Sequence, residues 1–348
     1  MNEKNYTIKD IARMANVSRG TVDRVIHGRG KVSKSTYEKV RLILDKLNYQ
    51  PNLVAQTLRK GEVCRLAVLL PDFKFDIFWK RPINGIDTAI KDYASIGVRV
   101  DKFLFNPLRA SSFRKNAKSI LEDGYDGILV APNLYRESVE FFRECDKIGL
   151  PYVTFNTYIE NTNALGHIGQ DLEQSGKTAA SLMTKLLPGP EELMVVHVEE
   201  SLENARHMQE KESGFKQFYE ERNSGGVRIH VLKTDNLKKI KKTFLQVLKT
   251  NPGIGGIYVS TSKVYIIAQI LEKHSISSFL IGYDLLDENI RYLKSGHIDF
   301  LIYQNPGIQS NLGISCLVDH LLFKADIAKK KLLPIEIVIR ENIENYLQ

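Results

Sequence analysis

Two sets of side chains in this chain have the types and spacing to do chemistry. The first lies near the start. A short helical segment opened by Ser18 carries Val22, Val25 and Ile26 on one side and Arg19, Asp23 and His27 on the other, with Arg24 beside them. A donor-rich helical face of that kind can read base edges in a DNA major groove. The second set is spread along the body. Phe78, Trp79, Asn133, Asn156, Tyr158, Thr261, Asp284 and Gln304 each follow a short apolar run. In open sheets flanked by helices, ligands bind beyond the carboxyl ends of the strands, so polar and aromatic residues at such places can hold a small molecule. An amide such as Asn156 both donates and accepts, which suits a neutral polyol.

Other chemistry finds little footing. Gly176-Lys177-Thr178 looks like the end of a phosphate-binding loop, but position 171, where that motif needs glycine, is Asp. Gly253-Ile254-Gly255-Gly256 is not a dinucleotide fingerprint, because Tyr258 holds the sixth place. No nucleophile elbow, zinc-protease motif or Cys/His ligand set is present, so neither an enzyme nor a metal or cofactor site is expected. Cys64, Cys145 and Cys316 are far apart and odd in number, which points to a reducing cytosol and no disulfide framework. The start, MNEKNYTIKD, has no apolar core of a secretory signal, and no run approaches the ~18 apolar residues of a spanning helix. The expected setting is cytoplasmic, with no membrane partner.

The elements that position these residues follow from periodicity. Thr7 caps a helix with Ile8, Ile11, Ala12 and Ala15 in phase. Ser18 opens a second helix, ended by Gly28 and Gly30, and Ser33 a third with Val40, Ile43, Leu44 and Leu47 in phase, stopped by Pro51. Three short helices with a tight turn between the first two fit a helix-turn-helix unit; a small bundle with a solvated basic surface fits the same pattern. Charge separates this head from the rest. Residues 1–61 hold thirteen Lys and Arg against five Asp and Glu, which is the whole formal net charge of +8. A basic block on a neutral body implies an anionic partner for the block alone. The 348 residues allow two or three folded units. From Leu66 onward, nine apolar runs alternate with helical stretches such as Ser111–Asp123, Asp171–Leu187, Leu237–Lys249 and Ser262–Lys273. That alternation implies parallel sheets covered on both faces, and so many strands imply two lobes. The lysine runs Lys238-Lys239, Lys241-Lys242 and Lys329-Lys330-Lys331 read as solvated faces.

The wording of the head is specific. Thr7-Ile8-Lys9-Asp10-Ile11-Ala12-Arg13-Met14-Ala15-Asn16-Val17-Ser18, then Thr21-Val22, Arg24-Val25, Val32-Ser33 and Leu47-Asn48-Tyr49-x-Pro51-Asn52 resemble the lactose-repressor (LacI) family of bacterial transcription regulators over about sixty residues. Looser matches follow: Asp126-Gly127-Ile128-Leu129-Val130, Pro151-Tyr152-Val153, Ile281-Gly282-Tyr283-Asp284 and Leu333-Pro334-Ile335-Glu336-x-Val338-Ile339-Arg340-Glu341. The resemblance implies an all-α helix-turn-helix head at 1–50, a hinge helix at 51–61, and a two-lobed α/β body at 62–348 like the periplasmic sugar-binding proteins, with three chain crossings between lobes. It also implies a homodimer on a palindromic, double-stranded operator, released or recruited by a small carbohydrate. With no added leucine-heptad segment, a dimer is expected and a tetramer is not.

Residue roles carried over by the resemblance are expectations. Thr7, Ser18, Arg19, Gly20, Thr21, Arg24 and His27 contact DNA, together with Asn52, Ala55 and Leu58 of the hinge, Leu58 as an apolar wedge in the minor groove. Asp23 replaces a common serine, and a carboxylate there repels phosphate unless it pairs. In the body, Phe78 and Trp79 either stack on a sugar ring or belong to the core. Asn133, Asn156, Thr261, Asp284 and Gln304 meet hydroxyls, Asn156 standing where many relatives have aspartate. The family's arginine lies five residues before a Gly-aromatic pair; here that place before Gly214-Phe215 is Gln209, and Arg206 lies eight before, so either residue is a candidate. Two other readings of the chain remain: a free sugar-binding receptor, which the basic head opposes, and an enzyme with a DNA-binding head.

Overall fold

A computed structural model describes residues 6–26, 30–47, 63–187, 192–198, 206–222, 226–234 and 237–347. Contacts divide the chain into two compact units, residues 1–59 and 60–348. In the first, helices α1 (Ile8–Ala15), α2 (Arg19–Ile26) and α3 (Lys34–Lys46) enclose a small core of Ile11, Ala12, Ala15, Val22, Val25, Val40 and Leu44. Capping sets the start of α1: Thr7 accepts from the Asp10 backbone while Asp10 reaches back to the Thr7 N–H at 3.0 Å. Asn16, with φ of 52°, ends the helix in the left-handed region that asparagine tolerates. Ser18 then accepts from the Thr21 N–H at 3.1 Å and starts α2.

The second unit holds two six-stranded sheets. Its elements run β1 (Cys64–Pro71), α4 (Lys80–Tyr93), β2 (Val98–Phe105), α5 (Ala110–Glu122), β3 (Gly127–Val130), α6 (Tyr135–Ile148), β4 (Tyr152–Asn156), β5 (Gly166–Gly169), α7 (Leu172–Leu186), β6 (Glu192–Val198), α8 (Arg206–Glu221), β7 (Arg228–Thr234), α9 (Leu237–Thr250), β8 (Ile254–Val259), α10 (Val264–Lys273), β9 (Phe279–Tyr283), α11 (Asp287–Lys294), β10 (Phe300–Tyr303), α12 (Pro306–Phe323), β11 (Lys330–Leu332) and β12 (Glu336–Val338). One sheet is ordered β11-β5-β4-β3-β1-β2 and is parallel throughout. The other is ordered β12-β10-β9-β8-β6-β7, with only β12 antiparallel.

The chain therefore crosses between lobes three times, at 169–172, 303–306 and 332–336. Three strands, β5, β11 and β12, extend the nine apolar runs seen in the sequence. They are only four, three and three residues long, and β11 is exposed at an edge, so they carry little hydrophobic signal. Period-two alternation builds both cores. Ala67, Leu69, Ile128 and Val130 face α5 and α6, while Leu66, Val68, Leu70 and Leu129 face α4 and α12.

Glycines set the helix crossings. A Cβ on Gly214 of α8 would lie 1.9 Å from the Glu173 carbonyl oxygen of α7, and one on Gly176 of α7 would lie 2.1 Å from that of Lys211. The Gly176-Lys177-Thr178 triplet is thus a helix-packing device within α7. In the other lobe Gly85 of α4 meets Gly307 of α12 in the same way. Gly214→Ala is expected to lower the stability of the body by ~3 kcal/mol or more, because backbone must move to admit the methyl group. Thermal unfolding of the full chain checks this; an unchanged midpoint for the second unit contradicts it.

Candidate functional site

Between the two sheets lies a cleft lined by Asp76, Phe78, Trp79, Asn133, Asn156, His207, Lys211, Ser260, Thr261, Ser262, Asp284 and Gln304. Most of these residues follow the carboxyl ends of strands: β1, β3 and β4 in one lobe and β8, β9 and β10 in the other. The structure brings together seven residues singled out from sequence: Phe78, Trp79, Asn133, Asn156, Thr261, Asp284 and Gln304. The free cavity among these side chains is small, about 40 Å³.

Asp284 is the deepest charge, 1% exposed, at the end of β9 with φ of 64°. Asn156, at the end of β4, has φ of 68°. Asp and Asn enter this left-handed region at lower cost than most residues, so short polar side chains can turn the backbone sharply as the strands end. Gln304 donates its amide to Asp284 Oδ2 at 2.7 Å, and its own carbonyl accepts from Gln309 at 2.7 Å. Burial pushes the Asp284 carboxyl up to about 6, with Lys211 and the two Gln304 hydrogen bonds pulling the other way. Asn289, fully buried on α11, holds the loop in place. Its amide nitrogen lies 2.8 Å, 3.0 Å and 2.9 Å from the carbonyl oxygens of Ser262, Tyr283 and Asp284. The loops after β8 and β9 are thus fastened by one side chain.

Lys211 of α8 is 2% exposed. Its ammonium donates to the Ser260 carbonyl at 3.2 Å and lies 3.6 Å from the centre of the Tyr283 ring. The next residue, Glu212, approaches the same serine indirectly: His197 Nε2 lies 2.7 Å from Glu212 and Nδ1 lies 2.6 Å from the Ser260 hydroxyl. Burial keeps His197 below the ordinary imidazole range despite Glu212, so the ring is neutral at pH 7. A neutral ring donates from Nε2 to the carboxylate and accepts the Ser260 hydroxyl at Nδ1.

Neither candidate for the family arginine lines the cleft. Arg206, in the first turn of α8, is drawn to Glu160 at 3.3 Å and Glu210 at 3.0 Å, and Gln209 lies off the lining face. His207 and Lys211, one turn apart, supply that face instead. Sequence reasoning missed Lys211, although its place was legible: with Met208, Phe215, Phe218 and Tyr219 it falls on the buried stripe of α8. It also missed Asp76, which caps the turn at Ile77–Trp79 through the Phe78 N–H at 3.1 Å. Phe78 and Trp79 are 7% and 4% exposed and meet edge-on at 5.1 Å, so they are at once core residues and cleft wall. Tyr158 does not line the cleft; its ring lies under Lys330 at 4.2 Å.

In the head, Arg19, Gly20, Asp23 and Arg24 are exposed on α2, and Thr21 is half-buried. Gly20 has open space around it apart from Ser18 Oγ at 3.8 Å from a built Cβ, so packing does not require a glycine there. Thr7 and Ser18 serve as helix caps. His27, Asn52, Ala55 and Leu58 lie outside the described residues.

Comparison with known proteins places both units. Residues 7–52 match the family of bacterial regulatory proteins, lacI family, and residues 66–325 match the periplasmic binding protein domain. The chain belongs to the periplasmic binding protein domain family, and its head is a lacI-family DNA-binding domain. A ribose operon repressor from Halalkalibacterium halodurans is 25% identical over 259 residues, 74% of this chain and 72% of that protein. A solved structure described as a candidate LacI transcriptional regulator from Bacteroides fragilis aligns with a TM-score of 0.77 at 27% identity, over 82% of this chain and 100% of that one. A transporter solute-binding protein from Burkholderia graminis, in complex with D-arabinose, shares the fold at TM-score 0.74 and 20% identity, over 82% and 98% of the two chains. Among the described residues no helix is long and apolar enough to cross a membrane.

Asp284 titrates in a characteristic window. Its folded pKa lies above its ordinary value, so the folded chain binds the extra proton between about pH 4 and 6, and stability falls as pH rises through that range. Asp284→Asn lacks this loss. Its stability relative to the wild type should therefore improve by about 2–3 kcal/mol between pH 4 and pH 7, at about 1.4 kcal/mol per unit. Denaturant unfolding at pH 4, 5, 6 and 7 measures it; a pH-independent difference counts against a buried, charged Asp284.

Proposed function

We propose that this protein is a DNA-binding transcription regulator, acting as a homodimeric repressor, whose affinity for a palindromic operator is set by a neutral monosaccharide or cyclic polyol held between the two lobes. The observation that carries the reading is the joint presence, in one chain, of a basic head with Arg19 and Arg24 exposed on α2 and of a cleft between two lobes lined by polar and aromatic side chains. Charge in the cleft supports a neutral ligand. Asp284 is offset by Lys211, and Asp76 by Lys263 at 3.5 Å, so neither sign dominates. Asp284, Gln304, Asn133 and Asn156 offer hydroxyl partners, and Phe78 and Trp79 offer an apolar wall. The relatives bear on the same point: one is named for ribose, and one solved neighbour holds D-arabinose.

On this reading Arg19 meets a guanine edge, while Gly20 makes no side-chain contact and leaves that base to its neighbours. Effector binding favours one arrangement of the lobes over another and so shifts the head's affinity for DNA. A free sugar receptor is disfavoured, because such a protein has no use for the lacI-type head.

Fluorescence anisotropy with the full chain and a palindromic duplex tests the DNA half. Affinity should fall steeply as salt rises, and Arg19→Ala should weaken specific binding by about tenfold or more while leaving random-sequence binding nearly unchanged. A thermal-shift screen with D-ribose, D-arabinose, myo-inositol, sugar phosphates and sugar alcohols tests the ligand half. A neutral sugar or polyol should raise the midpoint of the wild type. Stabilisation by sugar phosphates alone contradicts the neutral-ligand assignment.

A further inference from the structure

One cleft residue, Ser260, is joined to two side chains that stand behind the lining. Ser260 follows β8, its N–H donating to the Val196 carbonyl of β6 at 3.1 Å and its own carbonyl accepting from Lys211 at 3.2 Å. Its hydroxyl oxygen lies 2.6 Å from Nδ1 of His197 on β6, and Nε2 of that ring lies 2.7 Å from Glu212 of α8. Ser260 lines the cleft; His197 and Glu212 do not. Glu212 is held as a carboxylate. Lys216 donates to its Oε1 at 2.6 Å, and Lys233 approaches Oε2 to 3.7 Å. Burial alone would raise this carboxyl, yet the hydrogen bonds from Lys216 and His197 outweigh burial and hold it below its ordinary range.

These contacts leave one arrangement of protons. A carboxylate can only accept, so Nε2 of His197 carries the hydrogen of the ring. Nδ1 is then a bare acceptor, and the Ser260 hydroxyl donates to it. A doubly protonated ring would reverse that last bond, and burial of His197 opposes the charged form. A hydroxyl has one proton and two lone pairs. With its proton turned to His197, Ser260 offers the cleft only lone pairs. We propose that Ser260 is a ligand-binding residue fixed as an acceptor, with His197 and Glu212 as its positioning residues, so that the cleft selects an effector presenting a hydroxyl donor to the end of β8. The assignment rests on reading the cleft as a carbohydrate site and gives that site a direction. A serine free to rotate meets a hydroxyl, an ether or a fluorine alike. A serine locked in this way rejects groups that only accept, because their lone pairs oppose its own. Asn133 and Asn156, in the other lobe, keep both senses, so the demand falls on one side of the ligand.

Titration calorimetry of the full-length protein with D-ribose, D-arabinose and myo-inositol, and then with the monodeoxy and monodeoxyfluoro analogues of whichever binds, tests that direction. In the wild type one hydroxyl position should lose about tenfold or more in affinity with both analogues, because fluorine keeps the size and the lone pairs but cannot donate. Ser260→Ala should bind the parent sugar about as weakly as the wild type binds those two analogues, and should lose nothing further at that position. His197→Phe frees the hydroxyl to turn toward the cleft. There the fluoro penalty at that position should shrink severalfold, while the penalties at other positions hold. Should His197→Phe not fold, the analogue series on Ser260→Ala carries the test. Nitrogen-15 NMR of the histidine-labelled protein without sugar checks the proton arrangement itself, with a protonated Nε2 and a bare Nδ1 expected for His197. A protonated Nδ1, or losses for Ser260→Ala that simply add to those of every analogue, overturns the assignment. If none of the three sugars binds the wild type, the carbohydrate reading fails and the assignment falls with it; binding without coupling to Ser260 overturns the assignment alone.

Discussion

The three passages of chain between the lobes converge on one amide. Gln170, in the first passage and 4% exposed, donates its side-chain nitrogen to the Tyr303 carbonyl at 3.0 Å and to the Pro334 carbonyl at 2.6 Å. Those acceptors belong to the second and third passages. Backbone adds to the junction, where the Leu333 N–H donates to Gly169 at 2.7 Å. Because neither lobe is continuous in sequence, each depends on these passages for its own completion: β11 and α12 return to the first lobe, and β12 to the second. A junction confined to these short passages lets each lobe stay rigid while the angle between them changes, which is the arrangement a hinge requires. The cleft adjoins this junction through Gln304 of the second passage, so a rotation there changes the distance between its walls.

Inside that cleft the dominant feature is a buried carboxylate. Asp284 is held by Gln304 and offset by Lys211, and its backbone turn is fastened by Asn289. On the proposed reading, a carboxylate so buried would meet a hydroxyl with little competition from solvent. Lys211, His197 and Glu212 extend the polar network from the cleft into the second lobe, where α8 packs on α7 through Gly176 and Gly214. Cleft lining and helix packing are therefore joined in the same element.

Much of this was legible in the sequence. Short apolar runs alternating with helical stretches announced the buried strands, and the rule that ligands sit beyond strand ends selected seven cleft residues. What was not legible has a common physical cause. Strands β5, β11 and β12 are too short for periodicity, and Asp76, Ser260 and Ser262 are small polar residues in loops that only the tertiary fold brings together. Arg206 was a candidate by its chemistry and Gln209 by its place before Gly214-Phe215. The place of Arg206 in the first turn of α8 instead left it to Glu160 and Glu210, while the lysine on the buried stripe faced inward. The lesson lies in the helix face: a charge in phase with Met208 and Phe215 was stronger evidence than a residue type.

The central claim is that ligand held at Asp284 governs DNA affinity from a separate unit of the chain. The most direct test is operator binding by the full-length wild type and Asp284→Ala, each with and without a saturating concentration of the sugar that stabilises the wild type. The account predicts that sugar changes the wild-type dissociation constant by about tenfold, a typical coupling, and leaves that of Asp284→Ala unchanged. An equal sugar response in both proteins, or none in the wild type, would contradict it.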